Sequence, residues 1–374
     1  MVPETHKEIR VLIVDDSAFM RKVLETILTA DENVHVVGHA KDGREAVRLA
    51  ESLKPDVITM DINMPVMDGL QATAEIMSTN PRAIVVVSSE SRQGAASTLR
   101  ALELGAIEFV AKPSSGIDLD MHSVREDLLR KIRMAAKVRV VRSASRTPSA
   151  KANPSGGPAQ PAPSLARPAA SSGFDQRFPV VVLAASTGGP ATVMRLAPGF
   201  TRDFPAAIIL VQHMPAAFTT QYAAQLAEFT NIRVKEAENN ESIAPGTFYI
   251  CPGGQHFRVL STGRIQLDST SGRVNGYLPN IDITMESVAA FAGALSMGVI
   301  LTGMGNDGAG GVTAIKAAGG LVLAQDEATS VIFGMPAEAI KTGAVDRVLG
   351  IDDIYSAIEK QVLAICHNTP AGVR

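Results

Sequence analysis

The sequence predicts an α/β protein with two domains, each built on a doubly wound parallel β-sheet that carries helices on both faces. Short apolar runs rich in β-branched residues alternate with amphipathic helical stretches along most of the chain, and this alternation is typical of parallel sheets. A segment rich in Pro, Ala, Ser and Gly interrupts the alternation near the middle. The chain has 374 residues, which is enough for one domain on each side of that segment.

The composition restricts the class of protein. Hydrophobic residues make up 46% of the chain and the formal net charge is −3, so the overall charge favours neither nucleic acid nor a membrane surface as a partner. Cys251 and Cys366 are too few for a disulfide framework and match no metal-binding spacing. The N-terminus lacks the apolar stretch of a signal peptide, and no apolar run is long enough to cross a bilayer. We therefore expect a cytoplasmic protein that binds no nucleic acid and does not insert into a membrane.

The middle segment is predicted to be a flexible linker. Between Ser143 and Gly173, Leu165 is the only large apolar residue, and such a stretch cannot bury enough surface to offset the entropy of ordering it. Its proline content favours a partly polyproline-like structure. The predicted organisation is a first domain over 9–138, a linker over 139–176 and a second domain over 177–370.

The first domain is predicted to contain five βα units. Ser17 is placed to cap the first helix, and a last helix over about 119–137 turns apolar side chains inward and many Arg and Lys outward. Five such units imply a doubly wound parallel sheet. The strands are predicted at 9–14, 34–38, 56–60, 83–87 and 107–110.

Polar side chains follow these strands. Because the carboxyl ends of parallel strands meet at one edge of the sheet, we expect them to gather there: Asp15, Asp16, Asp61, Ser88 and Lys112. Three carboxylates repel one another unless a hard cation neutralises them, so Mg²⁺ is the expected occupant. An aspartate held against Mg²⁺ beside a lysine and a hydroxyl can accept a phosphoryl group. The alternative is that the three aspartates are ordinary loop carboxylates and helix caps.

The second domain is predicted to be another parallel α/β sheet with a β-hairpin insertion. Pro190 favours a helix start directly after the first strand, and Asp282 is a predicted N-cap. Short β pieces joined by a turn at 261–263 predict the hairpin region. The predicted sheet strands are 180–185, 207–212, 297–301, 321–324 and 345–349, the β pieces are 248–251, 256–260 and 264–267, and the helices include 219–229, 283–295 and 351–366.

Three strand ends of the second domain carry Ser186, His213 and Asp307. A serine needs a base to become a nucleophile, histidine serves as that base near neutral pH, and a carboxylate fixes the histidine tautomer. Glycine-rich turns over 187–189, beginning at Thr187, and over 303–305 expose backbone N–H groups that could bind an oxyanion. The serine hydrolase elbow Gly-x-Ser-x-Gly is absent, and the chain order differs from that of α/β-hydrolases.

Each of these residues also has a structural interpretation that the pattern leaves open. Ser186 could be a helix cap, His213 a hydrogen-bonded loop residue, and Asp307 a turn former. The Gly-rich run 303–311 hints at a dinucleotide loop, although its third glycine is misplaced and no acidic ribose partner is evident.

Motifs of the first domain resemble those of response-regulator receiver domains. They are Val-Asp-Asp-Ser at 14–17, Met-Asp-Ile-Asn-Met-Pro-Val-Met-Asp-Gly at 60–69, Ser-Ser at 88–89 and Lys-Pro at 112–113. The resemblance covers about the first 115 residues and implies a flavodoxin-like (βα)5 domain. It implies Asp61 as phosphoacceptor, with Asp15, Asp16 and Asp61 holding Mg²⁺. It also implies Lys112, Ser88 and Phe109 as phosphoswitch residues, although Phe109 could equally be a core residue of its strand.

Motifs of the second domain resemble the catalytic domain of the chemotaxis protein-glutamate methylesterases. They are Ala-Ser-Thr-Gly-Gly-Pro at 185–190, Gln-His-Met-Pro at 212–215, Thr-Gly-Met-Gly-Asn-Asp-Gly at 302–308 and Phe-Gly-Met-Pro at 333–336. The resemblance implies Ser186 as nucleophile, His213 as base and Asp307 as orienting acid, with the Met304 N–H helping to bind the oxyanion. Three positions depart from the usual family pattern and bear on docking: Leu278, Asn280 and Gln225.

Together the resemblances imply a phosphorylation-activated serine hydrolase that demethylates glutamate methyl esters on methyl-accepting chemotaxis receptors, releases methanol and deamidates specific glutamines. They imply a histidine kinase as phosphodonor, Mg²⁺ in the receiver and no cofactor in the catalytic domain; we expect a monomer. The alternatives are the same chemistry in a non-flagellar pathway, a DNA-binding output domain, or a nucleotide-binding module at 303–311. Residues 174–374 offer no concentrated basic face for DNA.

Overall fold

A computed structural model of the chain describes residues 8–88, 92–112, 118–138 and 178–368. The predicted linker at 139–176 lies outside these ranges, as do Ser89 and Pro113 of the receiver motifs.

The first domain is a five-stranded sheet in the order β2-β1-β3-β4-β5, and all of its strands run parallel. Five βα units are present, as the sequence predicts. The strands are β1 (Ile9–Val14), β2 (Val34–Ala40), β3 (Val57–Met60), β4 (Ala83–Ser88) and β5 (Glu108–Ala111), and the helices are α1 (Ala18–Leu28), α2 (Gly43–Leu53), α3 (Gly69–Thr79), α4 (Arg92–Glu103) and α5 (Asp118–Ala135).

The local sequence explains the first turn of this domain. The apolar run of β1 is buried from Val11 to Val14, as expected of a strand with helices on both faces. Three residues after the end of β1, Ser17 caps α1, because its Oγ accepts a hydrogen bond from the Met20 N–H at 3.3 Å. The polar residues between Val14 and Ser17 are thereby held at the carboxyl edge of the sheet.

The second domain is a seven-stranded parallel sheet in the order β14-β13-β12-β6-β7-β9-β8, with a separate antiparallel hairpin of β10 and β11. Its strands are β6 (Val180–Ala185), β7 (Ala207–Gln212), β8 (Arg233–Glu236), β9 (Thr247–Ile250), β10 (His256–Val259), β11 (Ile265–Asp268), β12 (Ser296–Ile300), β13 (Leu321–Gln325) and β14 (Arg347–Leu349). Its helices are α6 (Gly189–Leu196), α7 (Ala216–Leu226), α8 (Ile281–Ala292), α9 (Ala309–Ala317), α10 (Met335–Lys341) and α11 (Ile351–Asn368).

Two strands of this sheet differ from the prediction. β8 was not predicted, because Arg-Val-Lys-Glu contains a single apolar residue and lies at the sheet edge, where little burial is needed. β9 was predicted as part of the hairpin region, but it pairs in parallel with β7 and β8 inside the main sheet. Only β10 and β11 form the predicted hairpin.

Two helix starts also differ. α7 begins at Ala216, three residues earlier than predicted, with Pro215 at its N-cap position. α8 begins at Ile281, and its N-cap is Asn280, whose side chain accepts from the Ile283 N–H at 2.9 Å. The prediction of Asp282 as the N-cap is therefore wrong.

The two domains pack against each other through α4 of the first and through α6 and α7 of the second. The ring of Phe109 in β5 lies 4.4 Å from the ring of Phe218 in α7. At the edge of this contact, the Gln225 side-chain amide donates a hydrogen bond to the Glu103 carboxylate. The contact joins apolar side chains of both domains into one continuous cluster.

Candidate active site

Two central strands of the second sheet end side by side, and this places Ser186 next to His213. In the register of β6 and β7, Ala185 pairs with Gln212, so the residue after each strand stands at the same edge. The His213 N–H donates to the Ala185 carbonyl at 3.1 Å, and the Gln212 side-chain amide donates to the Ser186 carbonyl at 2.8 Å. The predicted nucleophile and base are therefore neighbours.

Ser186 does not cap the helix that follows it. The N-cap residue of α6 is Gly188, which has a φ of 72° and makes no side-chain cap bond. Pro190 stands in the first turn of α6, as predicted, and supplies no N–H that needs a partner. The helix start therefore does not account for the Ser186 hydroxyl, and the helix-cap alternative is wrong.

The loop after β12 packs closely against Ser186. The Ser186 N–H donates to the Thr302 carbonyl at 3.1 Å, and the Thr302 hydroxyl donates to the Thr187 carbonyl at 3.0 Å. A Cβ on Gly303 would lie 2.8 Å from the Ser186 Cβ, so this close approach requires glycine. Met304, the next residue, is 37% exposed. The two turns predicted to supply oxyanion N–H groups are thus adjoining.

His213 and Asp307 form a direct pair. The His213 Nε2 lies 2.8 Å from the Asp307 Oδ2, and the side chain of Asp307 is fully buried while that of His213 is 14% exposed. With Nε2 facing the carboxylate, Nδ1 is the ring nitrogen left for a proton from another group. Asp307 therefore does not only form a turn in its glycine-rich loop, because its carboxylate also pairs with His213.

The N-terminus of α8 holds the Asp307 carboxylate in place. The Ile281 N–H donates to the Asp307 Oδ2 at 2.8 Å, and the Asp282 N–H donates to its Oδ1 at 3.2 Å. Free N–H groups and the positive end of the helix dipole favour a carboxylate at such a position. Asp307 is thus oriented from one side by α8 and faces His213 on the other.

The Asp282 carboxylate in turn accepts hydrogen bonds from backbone N–H groups at the start of the next helix, α9. Its Oδ1 accepts from the Gly308 N–H at 3.0 Å and from the Gly311 N–H at 2.7 Å, at the start of α9. Burial raises the pKa of Asp282, the hydrogen bond from Gly311 opposes this, and the nearby charge of Asp307 raises it further. The first turns of α8 and α9 are therefore tied together by two carboxylates, and α9 is fixed relative to Asp307.

The sequence did not single out Tyr277, which the structure places over the imidazole ring of His213. Its ring stacks on the His213 imidazole, with the ring centroids 4.7 Å apart and the planes 17° apart. The one signal that could have located it is Asn275-Gly276, the dipeptide most favoured in two-residue hairpin turns, which directly precedes it.

In the first domain, the three predicted metal ligands come together. Ligand oxygens of Asp15, Asp16 and Asp61 lie within 4.8 Å of one another. Lys112 Nζ lies 2.8 Å from the Asp61 Oδ2 and 3.0 Å from the Asp15 Oδ2. Clustered carboxylate oxygens are the donor set that Mg²⁺ prefers, so these residues fit the predicted ion. The side chains of Asp15 and Asp61 are buried and that of Asp16 is exposed.

Burial governs the charges of this cluster. It raises the pKa of Asp61, and the hydrogen bond and charge of Lys112 only partly oppose it. Burial by itself would lower the pKa of Lys112, but the hydrogen bond and charge of Asp61 outweigh it, so that pKa is raised. The lysine therefore stays charged beside the carboxylates.

The predicted switch residues Ser88 and Phe109 lie on the neighbouring strands β4 and β5. Ser88 ends β4, and its hydroxyl donates to the Gly94 carbonyl at 3.3 Å. Phe109 is buried, and Lys131 Nζ lies 5.1 Å from its ring centroid. The ring also packs against that of Phe218 in the other domain. Phe109 is therefore a contact between the domains as well as a core residue.

The fold and its two sites define a class of protein. A receiver-like domain with a cluster of three carboxylates and a lysine is joined to an α/β domain whose strand ends bring together a serine, a histidine and an aspartate. This is the architecture of a response regulator with an enzymatic output domain. The receiver family model, "Response regulator receiver domain", matches residues 11–122, and the model "CheB methylesterase" matches residues 181–358.

Curated relatives extend the match over nearly the whole chain. A protein-glutamate methylesterase/protein-glutamine glutaminase of Symbiobacterium thermophilum is 42% identical over 97% of this chain and 99% of its own. One of Pyrococcus horikoshii is 40% identical over 96% of this chain and 95% of its own. The crystal structure of the Thermotoga maritima CheB methylesterase catalytic domain has a TM-score of 0.48, at 37% identity, over 49% of this chain and 98% of that one.

The chain belongs to the family of protein-glutamate methylesterase/protein-glutamine glutaminases. It is a chemotaxis methylesterase and deamidase with a response-regulator receiver domain, as the sequence predicts. Among the residues that the structure describes, no helix combines the length and apolar character needed to cross a bilayer.

Proposed function

We propose that Ser186, His213 and Asp307 act as a catalytic triad that hydrolyses glutamate methyl esters on methyl-accepting chemotaxis receptors. The observation that carries the proposal is the 2.8 Å contact between the His213 Nε2 and the buried Asp307 carboxylate, at the strand edge where Ser186 stands. A carboxylate in that position holds the imidazole in one tautomer and stabilises the imidazolium that forms during the reaction.

The reaction runs in two steps. The Ser186 hydroxyl oxygen attacks the ester carbonyl carbon while its proton passes to the His213 Nδ1, the nitrogen that does not face Asp307. The tetrahedral intermediate collapses, and methanol leaves with that proton. Water then attacks the acyl-enzyme with His213 as base again, which frees the glutamate and restores the serine. With a glutamine side chain as substrate, the leaving group is ammonia.

The oxyanion of the intermediate needs donors that are already in position. The backbone N–H groups of Thr187 and Met304 are the proposed donors. Support comes from the bonds that fix both turns, since the Thr302 hydroxyl reaches the Thr187 carbonyl and the Thr302 N–H donates to the Gln325 Oε1 at 2.8 Å. Met304 follows two residues later in the same loop.

The receiver is proposed to inhibit the catalytic domain until Asp61 is phosphorylated. Two contacts between the domains support this. Phe109 packs on Phe218 of α7, the helix that begins three residues after His213. Val331, which lies against Gly188 of the Ser186 turn, also packs on the receiver core. A receiver seated so close to the active-site turns restricts access for a receptor helix, and a shift of its packing would relieve that restriction.

Phosphorylation is proposed to act on this contact through the acidic cluster. Asp61 would accept the phosphoryl group, Asp15, Asp16 and Asp61 would hold Mg²⁺, and bound Mg²⁺ would neutralise charge on the transferring group. Lys112, already beside Asp61, would pair with the phosphoryl oxygens. Ser88, at the end of the neighbouring strand, would follow the phosphoryl group, and Phe109 would move with it.

The partners implied are a histidine kinase of a chemotaxis pathway as phosphodonor and the methylated receptors as substrate. The expectation of a monomer in the cytoplasm and of a catalytic domain without a cofactor stays a prediction.

The test is methanol release from methylated receptor membranes by the full chain, with Mg²⁺ and with or without a small-molecule phosphodonor. We expect the phosphodonor to raise the rate about tenfold or more in the wild type, as a shift of one to two orders of magnitude in a two-state equilibrium would. Asp61→Asn should keep the unstimulated rate and lose the stimulation. An equal stimulation of the two proteins would rule out Asp61 as the phosphoacceptor.

A further inference from the structure

The catalytic base of the proposed triad has an aromatic neighbour with no role in the proposed chemistry. Tyr277 lies face to face with His213, 4.7 Å between ring centroids and 17° from parallel. Near-parallel stacking at this centroid distance is an arrangement that aromatic pairs favour, and a ring over an imidazole presents its electron-rich face to a group that gains a positive charge during the reaction.

The backbone holds Tyr277 at the end of a tight two-residue hairpin. Its N–H and carbonyl each bond the opposite group of Val274 at 3.0 Å. Asn275 and Gly276 between them have φ angles of 52° and 88°, as a type I′ turn requires. Arg273 closes the turn with a bond from its Nη1 to the Gly276 carbonyl at 3.1 Å.

A buried histidine and Asn280 anchor this hairpin to the domain. The His256 Nε2 lies 2.8 Å from the Gly272 carbonyl, and the Asn280 N–H donates to the His256 Nδ1 at 3.2 Å. The Asn280 Nδ2 also donates to the Val274 carbonyl at 3.4 Å while its Oδ1 caps α8. The loop over His213 is therefore tied to the same helix start that holds Asp307, and Asn280, a departure from the family pattern, makes both connections.

The far end of Tyr277 meets the proposed oxyanion loop. Its hydroxyl lies where a side chain on Gly305 would have to stand, and Gly305 has a φ of 97°. One side chain thus touches the base and the turn that carries the Met304 N–H.

We propose that Tyr277 is a positioning residue for the catalytic histidine: its ring fixes the plane of the His213 imidazole against Asp307 and stabilises the imidazolium form. The proposal rests on the triad function proposed above. Because the ring contact acts in the step in which His213 carries the proton, its loss should lower kcat and leave KM largely unchanged.

The charged groups that face His213 define what else could shift its protonation. Asp307 contacts Nε2 directly, and Asp282 lies next in line behind Asp307. Both carboxylates remain when Tyr277 is replaced. A change in the pH dependence of activity in a Tyr277 variant is therefore caused by the loss of the ring.

The experiment compares Tyr277→Leu and Tyr277→Phe in the full chain, with methanol release from methylated receptor membranes measured across pH at saturating and limiting substrate. Leu keeps apolar bulk without a π face, and Phe keeps the ring. For Leu we expect kcat to fall about 2- to 30-fold, the range of a cation–π contact, with KM within twofold. The acid limb of the kcat/KM profile should move to lower pH, because an imidazolium without the ring loses its proton more easily. Phe should restore both properties.

Three results would overturn the proposal. If Tyr277→Leu keeps the wild-type kcat and the wild-type acid limb of the pH profile, the ring has no role in catalysis. If KM rises while kcat is unchanged, the ring is a substrate contact. If Tyr277→Phe is as impaired as Tyr277→Leu, the effect belongs to the hydroxyl. Tyr355→Leu removes a ring that packs on Phe200 instead and controls for lost stability. Tyr277→Met replaces the Leu variant if that one does not fold. Ser186→Ala, assayed in parallel, separates a failure of this proposal from a failure of the triad.

Discussion

The two sites of this protein stand at the same place in two similar sheets and are built in different ways. In the receiver, Asp15, Asp61 and Lys112 each follow a strand directly and Asp16 comes one residue after Asp15, so the pairing of parallel strands brings these side chains together. In the catalytic domain, strand pairing places only Ser186 and His213. Asp307 lies seven residues past the end of β12 and depends on the start of α8 for its position.

This difference teaches how each site tolerates change. The receiver cluster is a set of like charges beside a lysine, and such a set can rearrange when an ion or another charged group binds to it. The pair of His213 and Asp307 is held by backbone N–H groups of α8 and lies against the Tyr277 ring, and a site of this kind gains by being rigid. In the proposed function, control belongs to the adaptable site and chemistry to the rigid site.

The largest expected effect separates the two sites completely. Ser186→Ala should lower methanol release at least about a thousandfold, because no other group replaces the nucleophile, while Asp61 is phosphorylated as in the wild type. The measurements are methanol release and incorporation of labelled phosphate. Ser356→Ala, at an exposed position of α11, is the matched control. If the variant keeps a tenth of the wild-type rate, Ser186 is not the nucleophile.

A moderate effect is expected where the two domains meet. Gln225→Glu would place a second carboxylate against Glu103, whose side chain is only 11% exposed. Like charges there should weaken the contact by about 1 kcal/mol and raise the unstimulated rate about fivefold. Gln225→Lys, the matched control, should not raise it, and adding Glu103→Gln to the Glu variant should reverse the increase. If the unstimulated rate is the same in the wild type and in all three variants, this contact does not restrain the enzyme.

The smallest expected effect concerns stability at the catalytic site. The pKa of Asp282 is raised by burial, so its folded-state charge carries a penalty that is complete above the raised pKa and disappears below the unfolded value near 3.9. Asp282→Asn keeps the Oδ1 acceptor for Gly308 and Gly311. It should stabilise the fold at pH 7 by less than about 1 kcal/mol, with a gain that shrinks as the pH approaches 4.

Thermal unfolding midpoints of wild type and Asp282→Asn between pH 4 and 8 provide the measurement. Asp268→Asn is the control of opposite sign, because hydrogen bonds from Ser271 and Thr270 lower the pKa of Asp268. Its replacement should cost stability by a similar amount across this whole range, because a carboxyl with a lowered pKa stays charged in the folded protein down to pH 4 and below. A gain for the Asp282 variant that grows towards low pH would contradict the assignment.

The sequence determined the elements whose cause is local. Apolar runs buried on both faces became strands, Ser17 became a cap, and the polar residues after β1, β3 and β5 gathered at one edge, because period, capping and parallel pairing act within a few residues or along one strand. The order Ser186, His213, Asp307 could be proposed for the same reason, since each residue sits at or just beyond a strand end.

Only the tertiary structure decided the contacts made between distant segments. β8 has no apolar pattern and is a strand because β9 offers it a pairing edge. Asn280, and not Asp282, caps α8, because Asp282 is drawn to the start of α9 by the N–H groups of Gly308 and Gly311. Tyr277 reaches His213 through a hairpin turn more than sixty residues along the chain. Such choices depend on which groups meet when the sheet closes, and a short sequence window does not contain that information.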